Sequence, residues 1–493
     1  MSHSHSSNQP PVIRFLFENS IFLVAGAVLA LVWANVDHQS YENFIHFEIS
    51  RLWTADHAEP EHGSGHEAAH ESSHSEDSHA ADEHASGDAK EEHGHEAGHA
   101  GHEAGHAGHE AGHAHNITIH FIINDVLMAL FFAMAAMEVW ESMLPGGALS
   151  NLRKAATPLL ATLGGIVGPA GLYLVGAWLF KEQLLIRGWA IPCATDIAFS
   201  YLVARWIFGV GHPAIAFLLL LAIADDAAGL AILAVAYPQQ PLQYVWFLLT
   251  LLAIAIGFGM RKMRLKSFWW YLLIPGVLSW ISFYFAGIHA ALGLVPIIPA
   301  MPHAHTDLGI FARDEMKQTD TLNAFAAWWK NPVELILGLF GLANAGVMFA
   351  SAATGTGLVL AGLVIGKPLG ITFFTWIAQR VFGLEVPKGI TYRHIVSLGL
   401  VAGIGFTVAL FVSDAAYADS SRPDDVLQAD WSFVRDSVKM GALLSFFAGA
   451  IAIGGARLLG IKPISPGDSS APAESGGSSE PSASGDDPDS AAE

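Results

Sequence analysis

Charge is what this chain has least of. Only 14% of its 493 residues are Asp, Glu, Lys or Arg, against roughly a quarter in a soluble domain. With 52% hydrophobic residues and a mean hydropathy of +0.40, that shortage excludes an ordinary soluble enzyme or binding domain. Cysteine is nearly missing too. Cys193 is the only one, so no intrachain disulfide can form and cysteine-based metal sites are ruled out.

The net charge of −21 is confined to two segments. Residues 55–115 carry 15 acids against Lys90, and residues 464–493 carry 7 acids and no base. Elsewhere acids and bases balance. Both segments have the low hydrophobicity and high charge of disordered chain. The expected organisation is a cytoplasmic start (1–14), a first helix with its flank (15–54), a His-rich acidic loop (55–115), a membrane core (116–460) and an acidic tail (461–493).

What the chain has in abundance is apolar runs near the roughly 20 residues that span a hydrocarbon core. They predict an all-α polytopic membrane protein with about twelve spans. The spans are 15–36, 121–143, 156–180, 189–208, 213–236, 243–260, 268–286, 289–301, 332–350, 357–380, 393–417 and 433–459. No small-residue cleavage site follows Ile21–Val36, so it reads as an uncleaved helix. Lys and Arg fall mostly in alternate loops, Arg261, Lys262, Arg264 and Lys266 being the densest group. By that asymmetry both termini are cytoplasmic and the His-rich loop is outside.

That loop ends in three near-copies of HEAGHAG. The spacing of His95 and His99, and of His102 and His106, would put each pair on one helix face and suits Zn²⁺ or Ni²⁺. Glycine in every repeat opposes a stable helix, so metal capture there is expected to be incidental to transport.

The chemistry lies in the spans. Asp225 and Asp226 sit mid-run between Ala214 and Ala236, Asp196 in a second run and Lys367 in a third. Ionised groups at membrane depth persist mainly where they line an ion or proton path. Neighbours on a helix diverge by about 100°, so the two aspartates have two jobs. Pro192 precedes Asp196 in the fourth span, and Gly403 and Gly405 interrupt the eleventh. Interrupted helices in corresponding halves point to a transporter's binding site. Spans 3–5 and 10–12 have opposite predicted orientation, as an inverted repeat requires. Half-helix ends then point inward, an aspartate offsetting the positive N-termini and a lysine the negative C-termini. Asp125, Glu138 and Glu141 on span 2, with His289 at the start of span 8, are candidates for a pH-responsive cluster. Glu334, just after Asn331-Pro332, reads as an ordinary first-turn acid, and Asn344 as small-residue packing.

Several segments together resemble the NhaA family of sodium/proton antiporters. They are Ile123-Asn-Asp-Val-Leu-Met-Ala-Leu-Phe-Phe132, Gly188-Trp-Ala-Ile-Pro-Cys-Ala-Thr-Asp-Ile-Ala-Phe199, Ala222-Ile-Ala-Asp-Asp226, Ala343-Asn-Ala-Gly346, Gly366-Lys-Pro-Leu-Gly-Ile371 and Gly403-Ile-Gly-Phe-Thr407. In order and spacing they cover about residues 15–460, and the family is itself a standard example of the interrupted-helix design. The resemblance implies that Asp226 is the main Na⁺ ligand and proton carrier, and that Asp225 shares the cation and pairs with Lys367. It further implies that Thr195 contributes to the site and that Asp196 balances the crossing half-helices. It implies exchange of one outgoing Na⁺ or Li⁺ for two incoming protons in the inner membrane, without a cofactor, by a homodimer serving pH homeostasis and salt tolerance. Two features depart from the family. Glu138-Val-Trp-Glu-Ser142 replaces its Glu-Val-Lys-Arg-Glu run, and the His-rich insert replaces a short hairpin involved in dimer contact. The expected protein is thus an antiporter and not an enzyme, with lipid and monovalent cations but no nucleic acid as partners. The alternative is a divalent-metal exporter that collects metal on the His-rich loop.

Overall fold

Helices make up most of the described chain in a computed structural model, which describes residues 21–49, 117–147, 149–150, 152–209, 211–303, 321–387 and 389–463. The chain divides into two units, Met1–Phe47 with Thr118–Glu493, and Glu48–Ile117. Of the second only Glu48, Ile49 and Ile117 are described. The candidate metal ligands His95, His99, His102 and His106 therefore lie outside the described residues, as do the 1–14 segment and the tail from residue 464.

In the first unit the order is α1 (Ile21–Val36), α2 (His38–Ile45), α3 (Ile119–Met143), α4 (Leu152–Leu179), α5a (Gln183–Cys193), α5b (Ile197–Phe208) and α6 (Pro213–Ala236). There follow α7 (Tyr244–Lys262), α8 (Phe268–Ala286), α9 (Ala290–Ala300), α10 (Thr321–Asn344), α11 (Thr354–Arg380), α12a (Tyr392–Ala402), α12b (Phe406–Ala416) and α13 (Gln428–Leu458). Among the described residues seven helices are long and apolar enough to cross a membrane, or nine if each bent pair counts as one span. The bent pairs are α5a with α5b, at 56°, and α12a with α12b, at 52°.

Two expected spans differ. The ninth is not 332–350 but α10, Thr321–Asn344, with Pro332 inside it. Its first turns are too polar to register as apolar, and its end is fixed by Tyr41, whose hydroxyl donates to the carbonyls of Leu342 and Ala343, both at 2.9 Å. These are terminal carbonyls that no helical N–H can reach. The eighth, 289–301, is two short 3₁₀ turns, Ala290–Leu292 and Val295–Ala300, because its prolines remove helical donors.

Close backbone approach organises the rest. Gly164 and Gly168 on α4 face Gly366 and Gly370 on α11. A Cβ on Gly370 would lie 2.0 Å from the Gly164 carbonyl oxygen, and one on Gly168 would lie 2.4 Å from that of Gly366. This is small-residue packing of the kind that lets membrane helices touch. Strong packing joins α4, α5, α6, α11, α12 and α13 into one group, and α1, α3, α7, α8, α9 and α10 into another. The groups meet where α3 packs on α6 and α10 on α12b.

Candidate functional site

The two breaks cross each other. The Asp196 N–H donates to the Ile404 carbonyl at 2.7 Å, Ser200 Oγ to Val401 at 3.0 Å and Thr195 Oγ1 to Ala402 at 3.2 Å. Gly405 permits this contact, since a Cβ there would meet the Ala194 carbonyl at 3.0 Å, and one on Gly403 would meet the Leu363 carbonyl at 2.5 Å. Pro192 lies in the 3₁₀ turn Ile191–Cys193 that ends α5a.

Four half-helix ends thus converge, and buried side chains answer each. Asp196 serves both N-termini. Its Oδ1 accepts from the Phe199 N–H at 3.2 Å, capping α5b, while Oδ2 accepts from the Thr407 N–H at 3.4 Å and from the Thr407 hydroxyl, at the start of α12b. A carboxylate at a helix N-terminus is stabilised by the aligned peptide dipoles and the free N–H groups. At the C-termini, Lys367 Nζ donates to the Cys193 carbonyl, the last of α5a, and Thr195 to that of Ala402, the last of α12a.

Lys367 reaches the crossing from α11, just after the π-helical turn Gly362–Gly366 and before Pro368. A widened turn there accommodates the proline, which has no N–H to give. The ammonium is completely buried and pairs with Asp225 Oδ2 at 3.0 Å, and that same oxygen accepts from Thr195 Oγ1 at 2.7 Å. Asp226, the next residue on α6, points elsewhere. It lines a cavity of about 580 Å³ together with Glu138, Asp196, Lys330, Glu334 and Thr407. The neighbouring carboxylates therefore have different surroundings, one held by an ammonium and a hydroxyl, the other facing open space.

The four pH-response candidates are not brought together. Glu138 lines the cavity, and Glu141, one turn on, is half-buried outside that lining. Asp125 lies in a separate vestibule, 3.4 Å from His289 Nδ1. Thirteen residues of helix put roughly 20 Å between Asp125 and Glu138. His289 caps the first turn of α9, accepting from the Ala291 N–H at 3.4 Å. Glu334 is not a first-turn acid but sits well inside α10, on the cavity wall. Asn344 makes a reciprocal amide pair with Asn124, at 3.0 and 2.8 Å. Sequence reasoning gave no role to Thr407, Lys330, Asp414 or Lys439. Asp414 stands in an apolar run as Asp196 does, and the same signal marks it, whereas Lys439 follows Arg435 and Asp436 and does not stand out.

The family profile for Na⁺/H⁺ antiporter 1 matches residues 98–454. A curated protein of Jannaschia sp. named Na(+)/H(+) antiporter NhaA is 42% identical over 464 residues, covering 90% of this chain and 96% of the relative. Proteins of the same name from Geotalea uraniireducens and Geobacter sulfurreducens are 40% and 39% identical, covering 91% and 92% of this chain and 97% and 99% of the relatives.

Proposed function

This chain belongs to the Na⁺/H⁺ antiporter 1 family, and from that premise we propose that it exchanges Na⁺ or Li⁺ for protons across the cell inner membrane through Asp225 and Asp226. One observation carries the reading. Where two broken helices cross, Asp225 is paired with buried Lys367 while adjacent Asp226 faces an open cavity. Asp226 holds either a cation or a proton. As Na⁺ enters, Asp225 exchanges the Lys367 ammonium for the ion, and protons return the pair to the arrangement seen. With two protons per Na⁺, one net charge moves inward and draws about 2.3 kcal/mol from each 100 mV of membrane potential. Cation, proton and substrate traffic need no cofactor, and the protein is not an enzyme.

The finer architecture belongs to the same proposal: twelve spans with α1, α9 and α10 counted, an inverted repeat pairing α5 with α12, both termini cytoplasmic and a homodimeric assembly. The two bends of similar size support the repeat, and the loop distribution of Lys and Arg supports the orientation. Divalent-metal export draws no support. The relatives' names mention only Na⁺ and H⁺.

The test uses everted vesicles energised with a proton gradient. Adding Na⁺ is expected to dissipate the gradient, and Asp226→Asn to abolish that response. An undiminished response in Asp226→Asn would refute the assignment.

A further inference from the structure

Three helices run from the cavity past an aromatic layer into the second vestibule. On α3 the order is Glu138, Phe132, then Asp125 and Asn124. On α10 it is Glu334, Phe340, then Asn344, and on α12b it is Thr407, Phe411, then Asp414. The Phe411 ring lies 4.7 Å from that of Phe132, 4.7 Å from that of His289 and 6.1 Å from that of Phe340. This layer separates the ion site from a vestibule of about 220 Å³.

Asp414 stands directly beyond that layer, on the same half-helix as Phe411. Lys439 of α13, in its own helix group, holds its Oδ1 at 2.5 Å. Its Oδ2 faces the other group. Asn124 Nδ2 donates to it at 3.3 Å, and His120 Nε2 lies 3.7 Å away. The Asn124 side chain is itself fixed by the pair with Asn344 and by a 3.0 Å contact with His120.

We propose that Asp414 is a further functional residue of the transport cycle, a positioning residue that keeps Phe411 seated on Phe132 and so closes the ion site toward this vestibule. The inference rests on the antiporter reading. Lys439 and Asp414 travel together with α12b and α13. The contacts to Asn124 and His120 cross the boundary between helix groups and must part before an ion can pass from Asp225 and Asp226 into the vestibule. The fixed ion pair is the anchor, and the cross-group contacts are the latch.

Gly229 offers a reporter. It borders the small gap between Asp225, Asp226 and Phe132, and no atom lies within 4 Å of a Cβ placed there. A Cys193→Ser/Gly229→Cys protein, whose labelling is read independently of its transport activity, is labelled with a small membrane-impermeant thiosulfonate. The reagent is applied to each face of sealed vesicles in turn. Adding Asn124→Ala is expected to speed labelling from the vestibule face by about tenfold, a shift in the closed–open population. Labelling from the cavity face should stay unchanged. Asp414→Ala should give the same pattern, and the double variant no more than either alone. An unchanged rate, or equal acceleration from both faces, overturns the latch. The labelling asymmetry does not depend on which cation is carried, so loss of the antiporter reading would show separately, as absent Na⁺-driven proton movement in the unaltered protein.

Discussion

A fully buried ammonium sets what single substitutions at the site do. Lys367 has Asp225 as its carboxylate partner at 3.0 Å and the Cys193 carbonyl as a second acceptor. Removing one member of a buried pair leaves the other uncompensated, at a cost of about 3–5 kcal/mol. Asp225→Asn is therefore expected to lower the thermal midpoint in detergent, and Asp225→Asn/Lys367→Gln to recover much of that loss without recovering transport. A double variant no more stable than the single would mean that Lys367 finds its counter-charge elsewhere. The residues of this site were legible because any charge stands out in an apolar run. The pairing of Asp225 with Lys367 came from the family resemblance, and the detailed geometry came from neither spacing nor resemblance. Nothing in spacing reveals that Asp225 shares one oxygen between Lys367 and Thr195, or that Asp196 caps two helices at once. Asp414 carried the same signal as Asp196, but Lys439 sits among Arg435 and Asp436, and their pairing depends on which helix faces meet.

At the scale of the element, the breaks were readable because Pro192, Gly403 and Gly405 interrupt long apolar stretches, and the bends fall beside them. The extent of α10 was not readable. Thr321 to Asn331 is too polar for a hydropathy window although it is helical, and its C-terminus depends on Tyr41 far back in the chain. The α4–α11 seam was equally hidden, since glycines alone do not say which helix they face. It makes its own prediction. Gly370→Ala places a Cβ 2.0 Å from the Gly164 carbonyl oxygen, so the helices must separate, and overpacking of this kind costs about 1–3 kcal/mol. Because α11 carries Lys367, the same shift should weaken Na⁺-driven proton movement. Gly171→Ala, on the same α4 but with nothing within 4 Å of the new Cβ, should leave thermal stability and transport unchanged. Equal behaviour of the two variants in thermal and vesicle assays would argue against the close seam.

For the whole molecule the open question is whether the His-rich acidic segment takes part in transport. Its charge is 15 acids against one lysine over residues 55–115, whereas acids and bases balance outside this segment and the tail. The ion site, the cavity and the vestibule are all built from residues of the other unit. Where the segment leaves and rejoins the described chain its ends are tied, the Ile49 N–H donating to the Ile117 carbonyl at 2.9 Å. A short linker can therefore replace what lies between without displacing α2 or α3. Loops whose ends are already held together tolerate such changes, and deleting residues 57–115 is expected to leave Na⁺-driven proton movement within about twofold of the full chain. The deletion, which removes 15 of the 25 histidines, should also sharply weaken retention on an immobilised Ni²⁺ column. If exchange instead disappeared while the shortened protein still eluted as a folded species, the segment would have to supply something the carboxylate site lacks. Local cation capture at the membrane surface would then become part of the transport mechanism rather than an accessory to it.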